Sequence, residues 1–196
     1  MAAHVLPPAP PVQRPRVLVV GTAFAAAATV MLFIGMLGVY LLARSDVRAS
    51  GATWLPTGVK IPLQQPNTIF ITLIMSVVAM QWAVNAISKN DRVNAYLAFG
   101  LTLMLGFAAI VMTSYLWTLM HLDIHAGVQG VLIYAITGGH IVMLGIAMIF
   151  TALMALRALG GQFDSRQHDG VTAAALFWDA MVFVYALIWI IIYVTK

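Results

Sequence analysis

Asp179 is the one carboxylate that lies deep inside any of the five long apolar runs of this 196-residue sequence. An acid at such a depth costs about 2.5–3.5 kcal/mol on insertion scales, so it is kept by a partner, a cavity or a bound headgroup. His140 is the one histidine inside a run. An Asp–His pair would lower the cost of both groups. It would serve as a satisfied structural contact, a lipid-headgroup contact or a proton relay, and the residues alone leave these three open.

A second constellation is His121-Leu122-Asp123-Ile124-His125. Its i, i+4 histidines have the spacing of two metal ligands on a helix. The segment ends an apolar run and offers no third ligand beyond Asp123, so it reads as an ordinary interfacial loop and no metal site is expected. The sequence has no cysteine and no glutamate. That removes disulfides, iron–sulfur clusters, thiolate copper sites and cysteine nucleophiles. With a single histidine inside a run, a haem held between two transmembrane histidines cannot be built from this chain alone. No Ser–His–Asp set, phosphate-cradling glycine loop or paired-carboxylate site appears. The chain itself is expected to carry no cofactor and no catalytic residue.

The elements that position these residues are membrane helices. The sequence is 62% hydrophobic and 8% charged, with a mean hydropathy of +0.96. A soluble domain has about 25% charged residues. The net charge of +4 comes from scattered Lys and Arg without a basic stripe, which suits topology marking and not nucleic-acid binding. Residues 1–16, with five prolines, read as a disordered or surface tail. Five runs follow, at 17–44, 67–87, 93–120, 128–156 and 171–194. Each exceeds the about 20 residues that cross about 30 Å of hydrocarbon. Their all-round hydrophobicity favours helices over the alternating strands of a membrane barrel. Ala25-Ala26-Ala27 could pass for a signal cleavage site, but the first run continues too far for a signal core. The fold class is therefore an all-α integral membrane protein, residues 17–196 forming one five-helix domain.

At 1.5 Å per residue, His140 lies about 18 Å down the fourth run and Asp179 about 12 Å up the fifth. The two depths coincide in a bilayer, and consecutive antiparallel helices are neighbours, so the pair is expected to meet. Gly138 and Gly145, with Ala152, recur every seven residues on run four; Gly35 and Gly38 share a face of run one. Small residues of this kind are expected as packing seams, or as points of close approach to a lipid or cofactor. Trp54, Trp82, Trp117 and Tyr193 stand near run ends as interfacial aromatics. Asn67 and Thr68 are expected to stabilise the start of run two. Arg14, Arg16, Lys89, Arg92, Arg157 and Arg166 fall on one side of the membrane, against Arg44, Arg48, Lys60 and Lys196 on the other. The positive-inside rule then places the N-terminus in the cytoplasm and the C-terminus outside. Five spans do not divide into two inverted halves, which argues against a transporter.

Several local motifs resemble subunit III of the haem–copper cytochrome c oxidases, in its short five-helix bacterial form. Met31-Leu32-Phe33-Ile34-Gly35 with Tyr40 is similar to the family's first of these helices. Ala52-Thr53-Trp54-Leu55-Pro56 resembles its W-P segment. Pro66-Asn67-Thr68 with Leu73 and Ser76 resembles N-T-x-x-L-x-x-S, and Leu105-Gly106 an L-G step. Tyr134, Thr137-Gly138-Gly139-His140 is similar to T-G-F-H, and Phe177-Trp178-Asp179 stands where the family has Y-W-H-F-V-D. The departures are specific. The family's intramembrane Glu falls at Thr29, its third-helix Gln and Glu near Thr113 and Leu116, and the second His of its fourth helix at Met143. Asp179 stands in place of a His, and Val182 in place of the family's Asp.

The resemblance implies an accessory, non-redox subunit of an aerobic respiratory terminal oxidase. Such a subunit sits in the inner (plasma) membrane, packs on the catalytic subunit I beside subunit II, binds phospholipid and supports proton uptake during O2 reduction. Haem and copper would lie in the partner subunits. His140, Asp179 and Trp178 would form a polar lining on the cleft or interface. The missing Glu at Thr29 keeps open a partner of a nitric oxide reductase or quinol oxidase. A small transporter or channel, or an assembly factor, are alternatives of a different class.

Overall fold

The computed structural model describes residues 16–195 apart from 57, 126 and 166. Residues 1–15 of the expected tail, and the topology markers Arg14, Arg166 and Lys196, lie outside these. Five helices follow one another: α1 (Val17–Ala49), α2 (Gln64–Ser88), α3 (Arg92–Met120), α4 (Val128–Leu159) and α5 (Asp169–Ile188), the last continuing into a π-helical turn, Trp189–Val194. All five are long and apolar enough to cross a membrane, and no strand occurs among the described residues. A helix satisfies its own backbone hydrogen bonds, which hydrocarbon cannot do for it.

The helix ends match the apolar runs closely, with one instructive exception. α1 runs five residues past the expected end at 44 and takes Ser45, Asp46 and Arg48 into the helix. Charged side chains do not end a helix; they mark where it leaves the hydrocarbon. Asp91 opens α3 by accepting a hydrogen bond from the Asn94 backbone N–H at 3.2 Å, satisfying one of the four orphan donors of a helix start. His121, at φ 48°, closes the same helix in the left-handed region.

α5 is the central element. It packs against α1, α2 and α4, and half of its apolar window is buried within the chain, against 17% for α1. The open face of α1 carries Phe24, Met31, Leu32 and Leu42, all largely exposed. Up–down connectivity is fixed by contacts at both ends. Arg16 lies 3.7 Å from Asp169, and Asn90 in the α2–α3 turn accepts from the Ser165 backbone at 2.9 Å. At the opposite end, the α1–α2 connection folds back into the bundle. Trp54 and Ile61 are buried, and the Trp54 indole N–H donates to the Tyr40 hydroxyl at 2.9 Å.

Two expected interfacial aromatics are therefore core residues. Trp54 packs edge-on against Tyr40, and Tyr193 is fully buried. The π-helical turn carries Ile192 and Tyr193 into the core. Trp82 stays exposed, and Trp117 donates to Thr137 Oγ1 at 3.1 Å.

Candidate functional site

A run of polar contacts lines the seam between α2 and α5. These two antiparallel helices are joined by four side-chain hydrogen bonds. The Trp178 indole N–H donates to Ser76 Oγ at 2.9 Å. Gln81 Nε2 donates to Asp179 Oδ2 at 2.7 Å. The Tyr185 hydroxyl donates to the Pro66 carbonyl at 3.1 Å, and the Trp189 indole N–H to Asn67 Oδ1 at 2.7 Å. Phe70 stacks on Tyr185 and on Trp189 between the last two. An interhelical hydrogen bond in a membrane contributes about 0.6 kcal/mol on average and up to about 2, so the ladder fixes the rotation of α5 against α2.

Trp178 is wholly buried. Its indole reaches α3 at Gly106, where an added Cβ would lie 2.6 Å from ring atom Cη2. Only a residue without a Cβ accepts the ring there. Ser76 passes the chain of bonds on, donating to the Leu73 carbonyl at 2.6 Å. Trp178 is thus a packing anchor between three helices and not part of an open surface.

Asp179, the next residue, turns to the edge of the seam and is half-buried beside the exposed Gln81. Its Oδ2 takes the Gln81 amide, while Oδ1 is buried with no hydrogen-bond partner among the described residues. The site presents one amide and one carboxyl group at the outer edge of the α2–α5 seam.

His140 is buried elsewhere. Its Nε2 lies 3.0 Å from the Met181 carbonyl oxygen, and its ring is flanked by Phe33 and Tyr185. A carbonyl only accepts, so Nε2 carries the proton. The expected Asp179–His140 contact does not form. Residues two apart on a helix point about 200° apart, and α5 turns Asp179 toward α2 while its Met181 side meets α4. Depth was readable from the sequence; azimuth was not.

The glycines divide in the same way. A Cβ on Gly138 would sit 3.7 Å from the Trp117 ring, an ordinary contact, whereas nothing lies within 4 Å of one on Gly35, Gly38 or Gly145. Within the chain, the seam expected at these last three is not met. They leave small steps on outward surfaces. Asn67 and Thr68 both make hydrogen bonds at the start of α2. Asn67 gives its carbonyl oxygen to Trp189, and Thr68 returns its hydroxyl to the Gln64 carbonyl at 3.0 Å. His121 and His125 are exposed, and among the described residues no group of three or more His or Asp side chains is placed to hold a metal ion. Gln81 escaped sequence reading, although a lone amide inside an apolar run is itself a signal that a polar partner faces it.

The family model for cytochrome c oxidase subunit III matches residues 12–196. Among curated relatives, the chain is 32% identical over 147 residues to cytochrome c oxidase subunit 3 of Petromyzon marinus, covering 73% of this chain and 56% of that protein. It is 30% identical over 145 residues to the Struthio camelus protein of the same name, again covering 73% and 56%. With the Salmo salar protein the match is 29% over 187 residues, covering 94% and 71%. In the first two of these relatives the match spans little more than half of their length. Residues of the motifs that resemble the family are ones the fold uses: Trp54 against Tyr40, Ser76 beneath Trp178, and Gly106 under the same indole. A family match over nearly the whole chain, on a five-helix bundle that uses those motifs, makes this chain a member of the cytochrome c oxidase subunit III family.

Proposed function

We propose that the chain is the accessory, non-redox subunit of a respiratory haem–copper terminal oxidase. It packs on catalytic subunit I near subunit II, holds phospholipid against its helices, and supports proton uptake while the partner reduces O2. The observation that carries this reading is the family match over residues 12–196. Haem and copper belong to the partner subunits in this account, because the one buried histidine among the described residues already uses Nε2 on the Met181 carbonyl. Residue 16, the α2–α3 turn and the α4–α5 connection face the cytoplasm, in line with their basic residues, and the bundle lies in the inner (plasma) membrane.

The open apolar face of α1 supplies surface for lipid or for the catalytic subunit. The Asp179–Gln81 rim, with Trp178 holding the helices beneath it, is the polar lining that a headgroup or a partner helix would meet. Removing this chain from the purified complex tests the assignment. The haem absorption spectrum is expected to stay unchanged while sustained turnover and bound phospholipid fall. Loss of haem on removal, or turnover and lipid content that do not change, would contradict it.

A further inference from the structure

A basic pocket at the end of the bundle where α1 finishes lies apart from the α2–α5 ladder. α1 has 33 residues, about 50 Å of helix against about 30 Å of hydrocarbon, so its ends overhang. Arg44 is level with Thr195, which directly follows the apolar fifth span and its π-helical turn. Arg44 donates from Nη1 to Thr195 Oγ1 at 3.0 Å. The arginine is only 6% exposed, yet its Nε–H is buried without an acceptor.

Arg48 follows one turn later on the same face of α1 and is exposed. Among the described residues, neither arginine forms an ion pair. Leu41, Ser45 and Thr195 complete a surface pocket of about 470 Å³ around the two guanidinium groups. The hydroxyls of Ser45 and Thr195 already donate to the Leu42 and Ile191 carbonyls, so the free donors of the pocket are arginine N–H groups. Two cations one turn apart repel, and a buried N–H without an acceptor is costly. A single oxyanion relieves both, and a guanidinium fork suits a phosphate.

We infer that the Arg44–Arg48 pocket binds a phosphate-class oxyanion at the membrane interface, borne on an anionic lipid headgroup or free in solution. This site does not depend on the oxidase assignment, since the full chain alone carries it. The test places the full chain in phosphatidylcholine nanodiscs containing a minor fraction of phosphatidylglycerol. Native mass spectrometry then counts retained anionic lipid, and thermal unfolding is followed with and without inorganic phosphate. The Arg48 side chain is exposed and makes no hydrogen bond to the fold among the described residues, so Arg48→Gln reports on binding without disturbing the clamp to Thr195.

Arg48→Gln and Arg44→Gln are each expected to weaken retention by about tenfold, the scale of one charge-assisted hydrogen bond. Arg157→Gln, at the opposite end, leaves it unchanged. Selective loss of phosphatidylglycerol in the variants identifies a lipid headgroup. Stabilisation of the wild type by inorganic phosphate, lost in Arg48→Gln and without lipid enrichment, identifies a free anion. If Arg48→Gln matches the wild type in both readouts, or Arg157→Gln weakens retention equally, the site does not exist.

Discussion

Asp179 accepts a 2.7 Å hydrogen bond from Gln81 across the α2–α5 seam, and His140, at a similar depth, bonds instead to the Met181 carbonyl on another side of α5. The deepest acid and the buried histidine are thus separate devices, each tying α5 to a different neighbour. This separation removes a direct Asp–His proton relay within the chain. It leaves Asp179 half-buried at the edge of the α2–α5 seam.

If Asp179 and Gln81 form one contact, their removal is not additive. Asp179→Ala and Gln81→Ala should each lower stability by about 0.5–2 kcal/mol, and the double variant should lose little more than either. Asp179→Ala with His140→Ala should add within about 0.5 kcal/mol. Thermal unfolding of the three single and two double variants checks both statements. Coupling between residues 140 and 179 as large as that between 81 and 179 would show that the two polar groups communicate after all.

Asp179→Ala in the assembled complex is expected to reduce retained phospholipid or the amount of associated partner subunit without altering haem spectra. Asp179→Asn, which keeps an acceptor for Gln81, should retain more of both. The measurement is lipid phosphorus and subunit stoichiometry per haem in the purified complex. Unchanged lipid and stoichiometry in the alanine variant would leave the rim without a binding role.

Gly106 and Trp178 make the sharpest packing prediction. A methyl group on residue 106 would meet the indole at 2.6 Å, so Gly106→Ala must displace the ring and strain the bond to Ser76. Overpacking of this kind costs about 1–3 kcal/mol. Trp178→Phe shortens the side chain and should recover part of the loss when combined with Gly106→Ala. Thermal unfolding and indole fluorescence follow both. A Gly106→Ala protein as stable as the wild type would mean that the ring has room to move.

The start of α3 should show a pH dependence. The Asn94 side-chain amide, and then its backbone N–H, hold the Asp91 carboxyl below its ordinary value. A depressed folded-state value means that its contribution is complete above the ordinary carboxylate range and is lost as pH falls through the lowered value. Protection of the Asn94 and Ala95 amides, relative to their intrinsic exchange rates, should therefore fall on acidification, and Asp91→Asn should flatten that dependence. A wild-type profile with no acid limb would contradict the cap.

Much of the architecture was legible in the sequence because length and hydropathy decide which segments cross a bilayer. Helix ends near Lys89–Asn90 and at His121 followed from where the apolar runs stop. What stayed hidden was rotation. A helix apolar on all sides has no hydrophobic face to announce which residues turn inward, so Gly35 and Gly138 look alike in sequence, although only Gly138 meets a neighbour. Ser45, Asp46 and Arg48 were misread for a related reason: their polarity suggests a loop, yet α1 carries them beyond the hydrocarbon as helix. Tyr40, Trp54, Ser76 and Gly106 were visible as fragments of family motifs, but their pairings, Tyr40 with Trp54 and Ser76 and Gly106 with Trp178, emerge only in three dimensions.

The proposed function makes this chain part of an oxidase complex whose haem and copper lie in its partners. Affinity purification of the full chain from its own membranes under mild detergent, followed by native mass spectrometry with haem and copper quantification, tests it most directly. The account predicts a fixed stoichiometry with a haem- and copper-bearing partner, and an apoprotein mass for this chain once the subunits are separated. A chain that purifies alone, or with partners free of haem and copper, would contradict it.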